Sequence, residues 1–127
     1  MFLHCNILAR CAAVALLLAG LAGSPAAADS AFLQEVADMP LPAGFTEDTA
    51  AGMAFDKPEG RIIEAVASGR GAVADVAGFY RNALPELGWT AVGRPEALAW
   101  RREGEMLRID IAATGPTVTV RFHIAPQ

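Results

Sequence analysis

After its first 28 residues this sequence has no cysteine, one histidine, one tyrosine and one lysine. The missing cysteine excludes a disulfide scaffold, a thiol nucleophile and a typical zinc cluster. Neither Ser30 nor Ser68 lies in a G-x-S-x-G turn, so a serine triad using His123 is not expected. The whole chain carries a net charge of −4, which argues against general nucleic-acid binding. We expect no metal site, no cofactor and no assignable catalytic residue.

The first 28 residues have the layout of a secretory signal. Residues 1–10 carry one arginine and no acid, residues 11–23 are small and apolar, and Ala26-Ala27-Ala28 has the A-x-A spacing of a cleavage site. The apolar run of 13 residues is shorter than the roughly 20 that span a membrane. A lipid anchor needs a cysteine just after the apolar run. Cys11 stands at the start of the run, so we do not expect a lipid anchor. We expect export to the periplasm or beyond, cleavage near Ala28 and no membrane span thereafter.

The remaining 99 residues suffice for one domain. Residues 29–48 predict an N-terminal segment, in which a short helix begins at Ser30 and ends before the proline-rich loop at 39–44. Residues 49–127 predict a single α+β domain. Its first part contains two strands, at 52–56 and 61–68, followed by the main helix at 72–87. Apolar residues recur along that helix at steps of three and four.

Two turn dipeptides, Glu103-Gly104 and Gly115-Pro116, separate three alternating segments near the C-terminus. Hairpins centred on them bring apolar residues together: Trp100/Leu107, Leu98/Ile109, Ile109/Phe122, Ile111/Val120 and Leu107/Ile124. A slip of one residue would turn this set to solvent, so the register is strongly specified. A further strand is predicted at 89–93, between the helix and these hairpins. The sequence therefore predicts an α+β fold in the order ββ-α-ββββ. One main helix covers one face of an antiparallel sheet of about five to six strands.

The same register points a set of polar residues away from the helix: Arg101, Arg108, Asp110, Arg121 and His123. It places Asp110 opposite Arg121 and Arg108 opposite His123. Two interpretations stay open for this face. It is a solvated surface with cross-strand ion pairs, or it is a docking face for an acidic protein or envelope component.

A weaker candidate site is Gly69-Arg70-Gly71, immediately before the main helix. Backbone N–H groups and the Arg70 guanidinium at such a position can contact an anion. However, Ala74 stands where a G-x-G-x-x-G pattern needs its third glycine. A purely structural turn between strand and helix is the favoured interpretation.

The helix end carries the pattern F-Y-R-x-x-L-x-x-x-G-W, from Phe79 to Trp89. This resembles a group of small exported bacterial proteins and lipoproteins of unknown function, in which such a helix end precedes a hairpin-rich sheet. The resemblance covers about residues 61–124. It implies a fold and an exported location, and no activity or ligand. Leu84 and Tyr80 also suit a structural role, because they share the apolar stripe of the helix.

Two functions remain open from the sequence. The first is an exported non-catalytic binding or accessory domain, and the second is a small periplasmic hydrolase that uses carboxylate chemistry. The scarcity of histidine, serine, lysine, tyrosine and cysteine favours the first.

Overall fold

The computed structural model describes residues 31–127, so the predicted signal and Ser30 lie outside the described residues. The elements follow in the order β1 (Thr46–Glu47), β2 (Met53–Lys57), β3 (Gly60–Arg70), α1 (Val73–Glu86), β4 (Thr90–Ala91), β5 (Ala99–Arg102), β6 (Glu105–Thr114) and β7 (Thr117–Pro126). A 3-10 turn at Pro95–Ala97 precedes β5. Between residues 31 and 127, no helix is long and apolar enough to cross a membrane.

The α+β class, with one α-helix and an antiparallel sheet, is confirmed for the described residues. The sheet has seven strands in the spatial order β1-β3-β7-β6-β5-β4, and β2 pairs with β3. The additional strand is the two-residue β1, which precedes the six predicted ones and pairs with β3. Helix α1 packs against the face of the sheet that we call the inner face. The opposite side is called the outer face.

The predicted register of the two C-terminal hairpins is confirmed for four of its five apolar pairs: Trp100/Leu107, Ile109/Phe122, Ile111/Val120 and Leu107/Ile124. Glu103 and Gly104 both have positive φ, +49° and +81°, as a two-residue type I′ turn requires. The fifth pair, Leu98 with Ile109, lies just beyond the end of the strand pairing. Leu98 adopts the left-handed conformation with φ +46°, so β5 begins at Ala99 and only the hydrogen bond from Ile109 N–H to the Leu98 carbonyl remains.

The short helix predicted to begin at Ser30 was wrong for its described part. This segment is a loop closed by a bridge between Phe32 and Pro40, and the Leu33 N–H donates to the Met39 carbonyl at 3.0 Å. A helix this short is marginal without tertiary support. The loop instead buries Leu33, Val36 and Met39 in the main core, so the predicted N-terminal segment and the domain share one core.

The end of helix α1 explains the spacing of the L-x-x-x-G-W pattern. Gly88 has φ +86°, and its N–H donates to the Pro85 carbonyl, while the Trp89 N–H donates to the Leu84 carbonyl, both at 3.1 Å. These two bonds are a Schellman C-cap, in which glycine supplies the left-handed residue. An apolar contact between the residues at the Leu84 and Trp89 positions commonly accompanies such caps, and both of these side chains are buried in the core.

Tyr80 connects the helix, the sheet and the N-terminal loop. Its ring meets the Phe122 ring edge-to-face at a centroid distance of 5.5 Å, and its hydroxyl donates to the Pro40 carbonyl at 2.9 Å. Burial raises the pKa of Tyr80 well above its usual value, because the phenolate would lose its hydration.

The Tyr80→Phe variant should respond less to alkali than the wild type. The unfolded chain releases the phenolic proton above about pH 10, whereas the folded chain retains it, so wild-type stability falls as pH rises from there. Well above pH 10, the free energy of unfolding of the wild type should fall by about 1.4 kcal/mol for each pH unit through this group. Near pH 7 the variant should be about 1 kcal/mol less stable than the wild type, because the Pro40 carbonyl loses its hydrogen-bond donor. Urea unfolding of both proteins between about pH 7 and pH 11 measures this; parallel pH profiles would contradict it.

Candidate functional site on the outer face of the sheet

The outer face carries all five residues that the sequence predicted for it. Arg101 lies on β5, Arg108 and Asp110 lie on β6, and Arg121 and His123 lie on β7. The predicted partners are confirmed, because Asp110 is opposite Arg121 and Arg108 is opposite His123. The three arginines and Asp110 are exposed, and His123 is half-buried.

The three arginines form a diagonal line across adjacent strands. Arg121 shares a row with Asp110, Arg108 shares the next row with His123, and Arg101 shares the following row with Met106. From one arginine to the next, the position moves one strand across and two residues along. The Cα atoms of successive arginines are therefore about 7–8 Å apart. We call Arg101, Arg108 and Arg121 the arginine diagonal.

No acidic side chain of residues 31–127 forms an ion pair within 4.0 Å of the arginine diagonal. Asp110 faces Arg121 in register without reaching that distance. On this face His123 Nδ1 lies 3.3 Å from Glu64 Oε1, and β3 contributes the glutamate. The cross-strand ion pair expected between Asp110 and Arg121 is therefore absent among the described residues, and three guanidinium groups stay available to an anionic group from outside.

An apolar strip borders the arginine diagonal. It consists of Phe55 opposite Ile62 and Ala125 opposite Met106. Ile62 and Ala125 each lie one residue beyond Ile63 and Ile124, the last paired residues of β3 and β7. Phe55 is 45% exposed, and the other three are half-buried. On β5, Arg101 lies opposite Met106. The outer face thus offers positive charge and apolar surface side by side.

This strip was not predicted from the sequence, because it depends on which strand lies beside β7. The hairpin patterns fix β5, β6 and β7 only relative to one another. The structure places β3 beside β7, with Glu64 opposite His123, and β2 beside β3. In the sequence, large apolar residues at alternate positions, Met53 and Phe55, indicate that one face of β2 is apolar.

Arg70, the weaker candidate, is exposed at the end of β3. Its position opposite Thr117 places it on the outer face, whereas helix α1 packs on the inner face. The anion contact suggested for this turn stays a prediction. Gly69 has a packing role, because a Cβ there would lie 2.6 Å from the Phe45 ring.

An open depression of about 710 Å³ lies near the end of α1, with Asp38 and Arg102 in its wall. The Arg102 guanidinium pairs with Asp38, donates to the Leu87 carbonyl at 2.9 Å and lies 4.3 Å from the Trp89 ring centroid. The hydrogen bond from Arg102 holds the pKa of Asp38 below its usual value. A general acid needs the opposite shift, so this pair suits a structural connection between the N-terminal loop and β5.

Comparisons with protein-family models, with curated proteins and with solved structures find no match to this chain. Between residues 31 and 127, no group of three or more histidine, cysteine, aspartate or glutamate side chains is placed to hold a metal ion. The function has to be inferred from the arrangement of the residues themselves.

Proposed function

We propose that this protein is an exported, non-catalytic binding domain that holds an extended acidic segment of a partner protein on the outer face of its sheet. The observation that carries this proposal is the arginine diagonal. Three exposed guanidinium groups have no ion-pair partner among residues 31–127, although the chain as a whole is acidic. Like-signed groups on one face attract and orient an oppositely charged partner.

The spacing of the diagonal supports an extended segment. Side chains on one side of an extended chain repeat every two residues, or about 6.8 Å. This is close to the roughly 7–8 Å between successive Cα atoms of the diagonal. Acidic residues at alternate positions of a strand-like segment would therefore each meet one of Arg101, Arg108 and Arg121.

The apolar strip supports a protein partner over a polysaccharide. Met106 offers apolar area directly beside Arg101, and Phe55 extends this area at the far end of the strip. A polypeptide carries both apolar and acidic side chains. The proposed export rests on the layout of residues 1–28 and agrees with the location that the F-Y-R-x-x-L-x-x-x-G-W resemblance implies. Asp38, the carboxylate in the open depression, is paired with Arg102 and has a lowered pKa, which does not favour it as the general acid of a carboxylate-based hydrolase.

The test is to reverse the charge of the diagonal in the Arg108→Glu, Arg121→Glu double variant. The probe is a fluorescent peptide of about twelve residues, long enough to cross the strands at the usual spacing, with glutamate and threonine in alternation. Each lost ion pair contributes about 0.5–1 kcal/mol, and each new repulsion adds a similar cost, so affinity should fall at least tenfold. Wild-type binding should also weaken as sodium chloride is added.

The matched control is Arg81→Glu with Arg94→Glu, which makes the same charge change on exposed residues outside the outer face. It should lower affinity much less, and all three proteins should melt at similar temperatures. An equal loss in both double variants would reduce the effect to net charge and contradict the proposal. Binding to phosphatidylglycerol vesicles, but not to the peptide, would replace the protein partner by a lipid surface.

A further inference from the structure

The edge of β6 beyond β5 is open. Pairing between β5 and β6 ends at Ala99 and Arg108, and the Ile109 N–H makes the last bond, to the Leu98 carbonyl at 3.0 Å. Leu98 is left-handed, with φ +46°, and turns the chain away from β6 at this point. Because ladder hydrogen bonds alternate in direction, the backbone N–H and C=O groups of Ile111 and Ala113 point outward beside Ile109. Among residues 31–127 they have no hydrogen-bond partner.

Between Ile111 and Thr114 this edge carries no charged residue and no proline. Charged residues, prolines and very short strands commonly protect exposed edges. At the opposite side of the sheet, β2 carries Asp56 and Lys57 and is followed by Pro58. On the same side as the open edge, the outermost strand β4 has only two residues. Residues 111–114 of β6 are Ile-Ala-Ala-Thr, of which Ile111 is half-buried and the other three are exposed.

We propose that this open edge pairs with the same edge of a second copy of the chain. A two-fold axis at Ala112 gives the antiparallel register that uses every free backbone group of Ile111 and Ala113, with four hydrogen bonds between the two copies. The side chains are self-complementary in that register. Ala112 meets its own copy, and Asp110 lies opposite Thr114, whose hydroxyl can donate to the carboxylate. No like charges meet.

The pairing would form one continuous sheet with both outer faces on the same side. Two arginine diagonals would then face a single partner, although the self-pairing itself does not depend on the proposed function. Four hydrogen bonds and a few small side chains make a limited interface. We therefore expect a reversible dimer with a dissociation constant of about 10–1000 µM.

The experiment replaces Ala112 by glutamate in one preparation and by lysine in another. In the symmetric register the two Ala112 Cα atoms lie about 4.5 Å apart, so each variant alone places like charges in contact. Sedimentation equilibrium of the purified proteins, up to about 1 mM chain, should show at least tenfold weaker self-association for both variants. An equimolar mixture of Ala112→Glu and Ala112→Lys should recover association, because opposite charges then meet. Ala51→Glu, on an exposed turn, is the control and should associate like the wild type.

A wild-type protein that stays monomeric over this range would overturn the proposal. Association that is unchanged in both Ala112 variants, or a mixture that does not recover, would place the interface elsewhere and also overturn it. Melting curves of each variant establish that the fold is intact. Since the acidic-peptide assay uses different residues, its failure and the failure of this pairing can be told apart.

Discussion

Replacement of Phe122 by alanine is expected to lower the free energy of unfolding by about 3–5 kcal/mol. Phe122 is 1% exposed at the middle of β7, between Ala65 on β3 and Ile109 on β6. Its ring packs edge-to-face against Tyr80, so it joins the sheet to the helix. Truncation removes buried apolar area and leaves a cavity among residues that the hydrogen-bonded strands keep in place.

Chemical unfolding in urea, followed by tryptophan fluorescence, measures this loss. Phe122→Leu is the matched control, because it keeps most of the apolar volume and should cost clearly less than alanine. A domain of this size has a total stability of about 5–15 kcal/mol, so the alanine variant should approach unfolding. A loss below about 1 kcal/mol would mean that the inner face of β7 is not the centre of the core.

Trp89→Ala should be similarly costly, at about 3–5 kcal/mol. Trp89 is 3% exposed, packs in the core beside Leu84 and lies beneath the Arg102 guanidinium. Its removal would weaken the helix C-cap and leave that charged group without its aromatic neighbour.

The indole offers a sharp control, since Trp89 Nε1 is buried and has no hydrogen-bond partner within the described chain. Trp89→Phe therefore removes no hydrogen bond and should retain much of the stability that alanine loses. Thermal melting of the two variants makes the comparison. An alanine variant that melts like the wild type but no longer binds the acidic peptide would make Trp89 a ligand-binding residue instead of a core residue.

The parts of the fold that the sequence predicted well are those in which neighbouring residues decide the outcome. Alternating apolar residues around Glu103-Gly104 and Gly115-Pro116 specified the register of β5, β6 and β7, and hence the side on which Arg108 and Arg121 lie. The helix was placed within one residue at each end, because its apolar spacing and Gly88 are local signals.

The parts that the sequence did not predict depend on contacts between distant segments. The loop before β1 was read as a helix, whereas its form follows from packing Leu33 and Met39 on the sheet. The apolar strip needed the long-range pairing of β3 with β7. Arg102 gave no local indication of its role, since Asp38 and the end of α1 reach it only through the fold.

Backbone amide shifts, followed by nuclear magnetic resonance as the alternating glutamate–threonine peptide is added, will locate the binding surface residue by residue. We expect the largest changes on β5, β6 and β7 around Arg101, Arg108 and Arg121. These changes should disappear in the Arg108→Glu, Arg121→Glu variant. Changes centred on helix α1, or on the depression beside Arg102, would contradict the assignment of the outer face as the binding surface.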